Sequence, residues 1–477
     1  MFLVPSSGPK RFAMVAWSRR WRGARALLLS GLVALLSSAW HPAFAADPYA
    51  SNNGLYPVDP QHPGKPSWSG PYRTLNFDYP DSAPPSAWLA QAPRVRLTVD
   101  TAPAYVAALK KFVEPSMRDM IEKPNQWNQK KYGWYDMPWQ AEGGATGGRE
   151  AILAAFSGQV LPKGAFKGLD IALQNHTVVY YDAISATMLK KLWANPFNPN
   201  RGAAIFPEGA MVIKAGAVTA TPKEWAVVDG STVWNVWRPT VADLSNKKIT
   251  DPAPSLVPLR VMQFDIIVKD SVASPDTGWV FTTFVYNKDA PGQGTWDKLV
   301  PLGAMWGNDP DIAGDPARQG LGNAPHPAHP LKETWINYSG SAPYALEQLG
   351  WGGRLSGPID VSKRHQVIYT DGVPRPSNQR ASSCLSCHGT AQYPFVANLY
   401  PSPNRIFPRD GSTFLLYPPG SPDWNRWFQN RPGTEPQNRS AGAVALDYDM
   451  LVMFALGAFD AAAGTDRYIQ KGRTPAH

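Results

Sequence analysis

Cysteine is almost missing from this 477-residue chain, with one thiol at position 384 and one at 387. A structural zinc needs four ligands, and no second Cys or Cys/His pair stands at zinc-finger spacing. There is no spare thiol, no GxSxG elbow and no HExxH helix, so no hydrolase constellation can be assembled from the sequence. Internal repeats are also absent. Beyond the first 45 residues no hydrophobic run reaches spanning length, which predicts a mature chain without a transmembrane segment.

Both thiols fall in the pentapeptide Cys384-Leu385-Ser386-Cys387-His388, with a histidine directly after the second. Two thiols three positions apart can add to the two vinyl groups of one porphyrin, and the adjoining imidazole then reaches the iron. The pattern predicts one covalent haem c, with Cys384 and Cys387 as thioether donors and His388 as proximal iron ligand. A thioredoxin-like pair would need a βαβ setting, and a simple disulfide would leave the histidine unexplained.

Acidic residues are absent from positions 1–45, which carry Lys10, Arg11, Arg19, Arg20, Arg22 and Arg25 ahead of an apolar run from Ala26 to Trp40. With Ala43-Phe44-Ala45 as the cleavage site, residues 1–45 read as a secretory signal peptide. Ser18-Arg19-Arg20-Trp21 hints at twin-arginine export, but haem attachment after export favours the general secretory route. The net charge of +9 comes from 46 Lys+Arg against 37 Asp+Glu, and setting aside the six leader cations leaves 40 against 37. That balance is no nucleic-acid footprint. The expected location is the bacterial periplasm, in soluble form and with a redox partner protein; an uncleaved signal acting as an anchor is the alternative.

The expected fold class is α+β: a β-rich body with an antiparallel sheet, peripheral helices and a C-terminal c-type haem-binding region. Residues 46–125 form a proline-rich wrap and a helix, 126–375 the β-rich body, and 376–477 the haem-binding region. Helices are predicted over about 102–122, interrupted by Pro115, and around 149–156, 184–194 and 442–463. Strands are predicted over 176–182, 210–218, 232–237, 259–269 and 278–286. In the fourth strand Met262, Phe264, Ile266 and Val268 share one face while Gln263, Asp265 and Lys269 share the other, the pattern of a half-buried antiparallel strand.

Trp134-Tyr135, Phe206-Pro207-Glu208-Gly209, Gly278-Trp279-Val280-Phe281, Gly307-Asn308-Asp309-Pro310 and Cys384 to Ala391 resemble a widespread group of exported single-haem cytochrome c family proteins. The resemblance spans roughly residues 130–400 and implies electron transfer. More loosely, the Phe-Pro-Glu-Gly turn before Met211 to Ala215, Gly-Trp-Val-Phe and a late CxxCH resemble the β-sheet cytochromes that include cytochrome c prime beta. That likeness implies haem against an antiparallel sheet, with a distal side that lacks a protein ligand; it assigns no cross-linking role to Lys214.

Distal candidates are Met450 and Met453 in the C-terminal helix and Met211, Met262 and Met305 near strands, all of a residue type that more often fills a core; of the strand group Met305 is carried forward with Met450 and Met453. His326 and His329 lie in a proline-rigid loop, and Asn308, Asp309, Asp311 and Asp315 offer oxygens at a spacing that only partly resembles a calcium loop. Gly389, Tyr393, Pro394 and Phe395 would wall the haem pocket, and Arg354, Arg375 and Arg380 would reach its propionates. A periplasmic electron carrier is the leading function. A haem enzyme or gas-binding protein with an open distal site is the alternative, and a substrate groove of Trp234, Trp237, Trp279 and Trp351 a third. Replacing Cys384, Cys387 or His388 by alanine is expected to abolish normal haem incorporation, read as loss of the haem-derived absorbance; covalent low-spin haem in His388→Ala would contradict the assignment.

Overall fold

Backbone N–H and C=O groups in an extended, β-branched and aromatic sequence are satisfied by pairing across strands, and here eight strands pair into one antiparallel sheet. They are β1 (Phe156–Leu161), β2 (Leu173–Tyr181), β3 (Met211–Val218), β4 (Val233–Arg238), β5 (Ser255–Lys269), β6 (Trp279–Tyr286), β7 (Leu299–Met305) and β8 (Thr334–Ile336). The order is β1-β2-β3-β5-β6-β7-β8, with β4 paired to the first part of β5. The computed structural model describes residues 68–140, 148–312, 331–339, 349–356, 366–368, 374–376, 383–395, 399–402, 415–439 and 442–462, except 162, 165, 167, 197, 247, 250, 251, 351, 352, 400 and 419. The predicted signal peptide, the start of the predicted proline-rich wrap, Asp315, His326, His329, Trp351 and Arg380 lie outside the described residues.

Helix α1 (Ala102–Glu122) covers one face of the sheet, where Tyr105, Leu109, Val113 and Met117 pack with Ile213, Phe264, Ile266 and Phe284. Burying each large apolar side chain contributes about 1.5–3 kcal/mol. The same helix continues through Pro115 rather than breaking there. Its buried stripe and the Arg118 links to Glu114 at 2.7 Å and Asp297 at 2.5 Å outweigh the missing backbone bond, a loss of about 3 kcal/mol.

The opposite face carries a second core in which Val212, Met305, Leu385, Val452 and Leu456 meet. Two departures from the expected pattern shape this face. Gly216 pairs with Gln263 but Ala217 pairs with Val261, so Met262 is bulged out of the ladder and joins this second core while Phe264 faces α1. The polar side of β5 is also covered rather than solvated, with Gln263 3% and Asp265 6% exposed.

Residues 149–156 do not form the predicted helix. Instead the buried Glu150 carboxylate accepts the backbone N–H groups of Ile152, Leu153, Ala155 and, from β4, Trp237. Those bonds close a turn and send the chain into β1. Helix α2 (Ala183–Leu192) matches its prediction closely, capped by the Asp182 side chain on the Ser185 N–H. Helix α3 is the single turn Cys384–His388, and α4 (Met450–Ala462) starts eight residues later than expected because Val444–Ala445 pairs as a strand with Gln392–Tyr393. Among the described residues no helix is long and apolar enough to cross a membrane. Glu150→Ala strands several buried donors at once, so urea unfolding is expected to show a loss of about 2–4 kcal/mol; a change under 0.5 kcal/mol would contradict this role.

Candidate functional site

The sequence Ser-Cys-Leu-Ser-Cys-His nucleates a helical turn by itself, because Ser383 and Ser386 form a reciprocal capping box. The Ser383 N–H donates to Ser386 Oγ at 2.9 Å, and the Cys384 N–H donates to the Leu355 carbonyl at 2.8 Å. Positions 384, 387 and 388 are i, i+3 and i+4 and so lie on one side of the turn. Leu385 and Ser386 are buried. Both thiols are half-buried.

Cys387 and His388 open on a cavity of about 640 Å³ between the sheet and α4. Its floor is a row of cross-strand partners, Tyr181, Val212, Ile267 and Phe281, one from each of β2, β3, β5 and β6. Met450, Phe454 and Ala458, spaced by four along α4, form the facing wall. The strand alternation that sends Ile213 and Ile266 toward α1 is what sends Val212 and Ile267 into this space.

His388 is held from two sides. Its Nδ1 lies 2.9 Å from the Tyr448 carbonyl, and its ring meets the Phe281 ring edge at 4.8 Å between centroids. A carbonyl only accepts, so Nδ1 carries the proton and Nε2 keeps its lone pair. Burial pushes the imidazole down to about 4, against the pull of the Tyr448 bond and with a smaller push from the Lys214 charge. The ring is therefore neutral near pH 7, the form that ligates a metal.

Polar groups also line the cavity. Tyr181 donates its hydroxyl to Asp449 Oδ2 at 2.9 Å, and burial pushes the Asp449 carboxyl up to about 6. Lys214 pairs with Asp265 at 3.4 Å. The Asn175 Oδ1 atom is buried without a hydrogen-bond partner and its residue lines the cavity.

A c-type haem fits these residues. Two thiols and a neutral imidazole share one helical side, with Cys387 and His388 on the cavity and Cys384 packed against the adjoining core; the imidazole's second nitrogen is satisfied by a carbonyl, and the cavity falls within the about 300–1,000 Å³ of small-molecule and cofactor sites. Cys384, Cys387 and His388 would hold it. The remaining sequence candidates separate clearly. Met450 lines the cavity, with its sulfur 3.9 Å from Thr390 Oγ1, whereas Met305 and Met453 are buried in the core and line no part of it. Met211 packs on the α1 face.

Arg354 is not a cavity residue. It is fully buried, donating to the Asn308 carbonyl at 2.5 Å and the Asp309 carbonyl at 2.8 Å, with its guanidinium 4.5 Å from the Phe428 ring. The Asp309 carboxylate accepts from the Lys332 and Glu333 N–H groups and the Thr334 hydroxyl, so its oxygens already tie the chain together. Among the described residues no group of three or more His, Cys, Asp or Glu could hold a metal ion. Tyr393 stacks under the Arg201 guanidinium at 4.3 Å in the core and Phe395 packs against that core, neither of them on the cavity wall. Arg375 sits in the short strand Pro374–Pro376. Among the described residues the tryptophans of the expected groove do not share a surface, since Trp234 and Trp237 pack on the α1 side of the sheet and Trp279 on the other.

Sequence reasoning missed Asp447, Tyr448 and Asp449 because it placed them inside the predicted helix over 442–463, which begins only at Met450. Tyr181 and Phe281 were legible as strand residues, but their shared face depends on the register. Comparison with protein-family models, with curated proteins and with solved structures returns no match.

The Asp449 carboxyl, raised by burial from 3.8 to about 6, binds a proton in the folded state that the unfolded chain has already released. Its contribution is fully present below about pH 4 and is lost as pH rises through about 6, at up to about 1.4 kcal/mol per pH unit. Asp449→Asn is expected to flatten the fall in urea-unfolding free energy between pH 4 and 6; an unchanged slope would contradict this.

Proposed function

We propose that this protein carries one covalent haem c in the cavity beside β6 and acts as a periplasmic electron-transfer protein with a protein redox partner. The observation that carries the reading is the His388 Nδ1 bond to the Tyr448 carbonyl, in a helical turn that presents both thiols on the same side. A metal-ligating histidine characteristically donates its other ring N–H to a carbonyl or carboxylate, which fixes the tautomer and strengthens the ligand. The export signal read from residues 1–45 supports the compartment, where haem attachment to CxxCH takes place.

When bound, the haem supplies a one-electron Fe(III)/Fe(II) couple. The protein's own residues do the rest. Each thiol adds its sulfur and hydrogen across one vinyl group, so nothing leaves. The Tyr448 carbonyl keeps the proton on Nδ1, and Val212, Ile267 and Phe281 present an apolar floor that limits water at the imidazole. Met450 is the one sequence-proposed distal methionine on the cavity wall.

A second reading, a haem enzyme or gas-binding protein with an open sixth position, is favoured by the polar wall: the Tyr181–Asp449 pair, Lys214 and the unpartnered Asn175 oxygen. Carbon monoxide separates the two. With Met450 as sixth ligand, the Soret band of the ferrous protein is expected to stay in place under carbon monoxide and to shift in Met450→Ala. A shift in the unaltered protein would move the conclusion to the open-site reading.

A further inference from the structure

Tyr448 reaches His388 from a backbone that residues with side chains seldom adopt, with φ +48° at Asp447 and +67° at Tyr448. Two consecutive left-handed residues without glycine persist only where their surroundings impose the conformation. Those surroundings are specific. The Asp447 carboxylate, 1% exposed, accepts the Trp279 indole N–H at 2.8 Å on one oxygen. On the other it takes the Phe206 backbone N–H at 2.8 Å and the Lys269 ammonium.

Lys269 and Trp279 are cross-strand partners where β5 ends and β6 begins, with the ammonium 5.6 Å from the indole centroid. The corner is thus bolted to the end of the sheet by donors from three segments. On its other side the Tyr448 hydroxyl donates to the Arg431 carbonyl at 2.7 Å. Gly433 has no room for a Cβ against the Asp447 carboxylate, so that flank is closed too.

We propose that the Lys269–Asp447–Trp279 cluster is a positioning device that fixes the Tyr448 carbonyl on His388 Nδ1 and so holds down the reduction potential of the bound haem. This rests on the haem reading above. A carbonyl drawing on the Nδ1 proton gives the imidazole more anionic character, which strengthens it as a donor and favours ferric over ferrous iron. Loosening the corner weakens that bond and raises the potential.

Trp279→Phe is the decisive variant, because its side effects have the opposite sign. Removing the indole N–H leaves the Asp447 charge less compensated, and any water admitted to the cavity favours the ferric state; both lower the potential. Lys269→Met obeys the same logic and serves if Trp279→Phe does not fold.

The experiment is a spectroelectrochemical titration of the purified haem-loaded protein and its variants, with covalent haem content measured first. The expected result is full haem content with an upward shift of the midpoint potential in Trp279→Phe and Lys269→Met. An unchanged or lowered potential in Trp279→Phe or Lys269→Met, with haem attached, overturns the positioning role. Lack of covalent haem in the unaltered protein overturns the haem reading itself, and is seen before any variant is made.

Discussion

The bond between His388 Nδ1 and the Tyr448 carbonyl is the contact on which the rest of the site depends. It fixes a neutral tautomer, turns the other nitrogen's lone pair away from the carbonyl, and ties the helical turn of the pentapeptide to the segment that opens α4. An imidazole without that bond would have two orientations and two tautomers. The buried Asp447 and the capping serines are best understood as groups that hold the two ends of this one contact.

The sheet divides the labour. One face is spent on stability, packed against α1 by an apolar stripe that survives a proline in its middle. The other face is left partly uncovered, and its row of cross-strand partners from β2 to β6, apolar from β3 onward, becomes the cavity floor. The bulge at Met262 lets a single strand serve both purposes, since it changes which residues of β5 face the cavity side. A regular strand would keep Met262 with Phe264 on the α1 face.

The α+β class, the antiparallel sheet and most of its strands were legible because alternation and β-branched composition survive in local sequence. The pentapeptide was legible because its chemistry is carried by spacing alone. Other features were not. Glu150 replaced a predicted helix with a turn through side-chain to backbone bonds that propensity does not register. Arg354, a plausible propionate partner by type, is committed to the carbonyls of Asn308 and Asp309, 45 residues and more away in sequence. The left-handed pair at 447 and 448 has no glycine to announce it. Long-range partners decided each of these, and a single sequence does not list them.

The most direct test of the central claim is the mass of the tryptic peptide spanning 381–405 from the protein produced with haem-attachment machinery. The account predicts a peptide carrying one haem through two thioethers, with no unmodified form of comparable abundance. A peptide with both thiols free, or joined to each other in a disulfide, would contradict it.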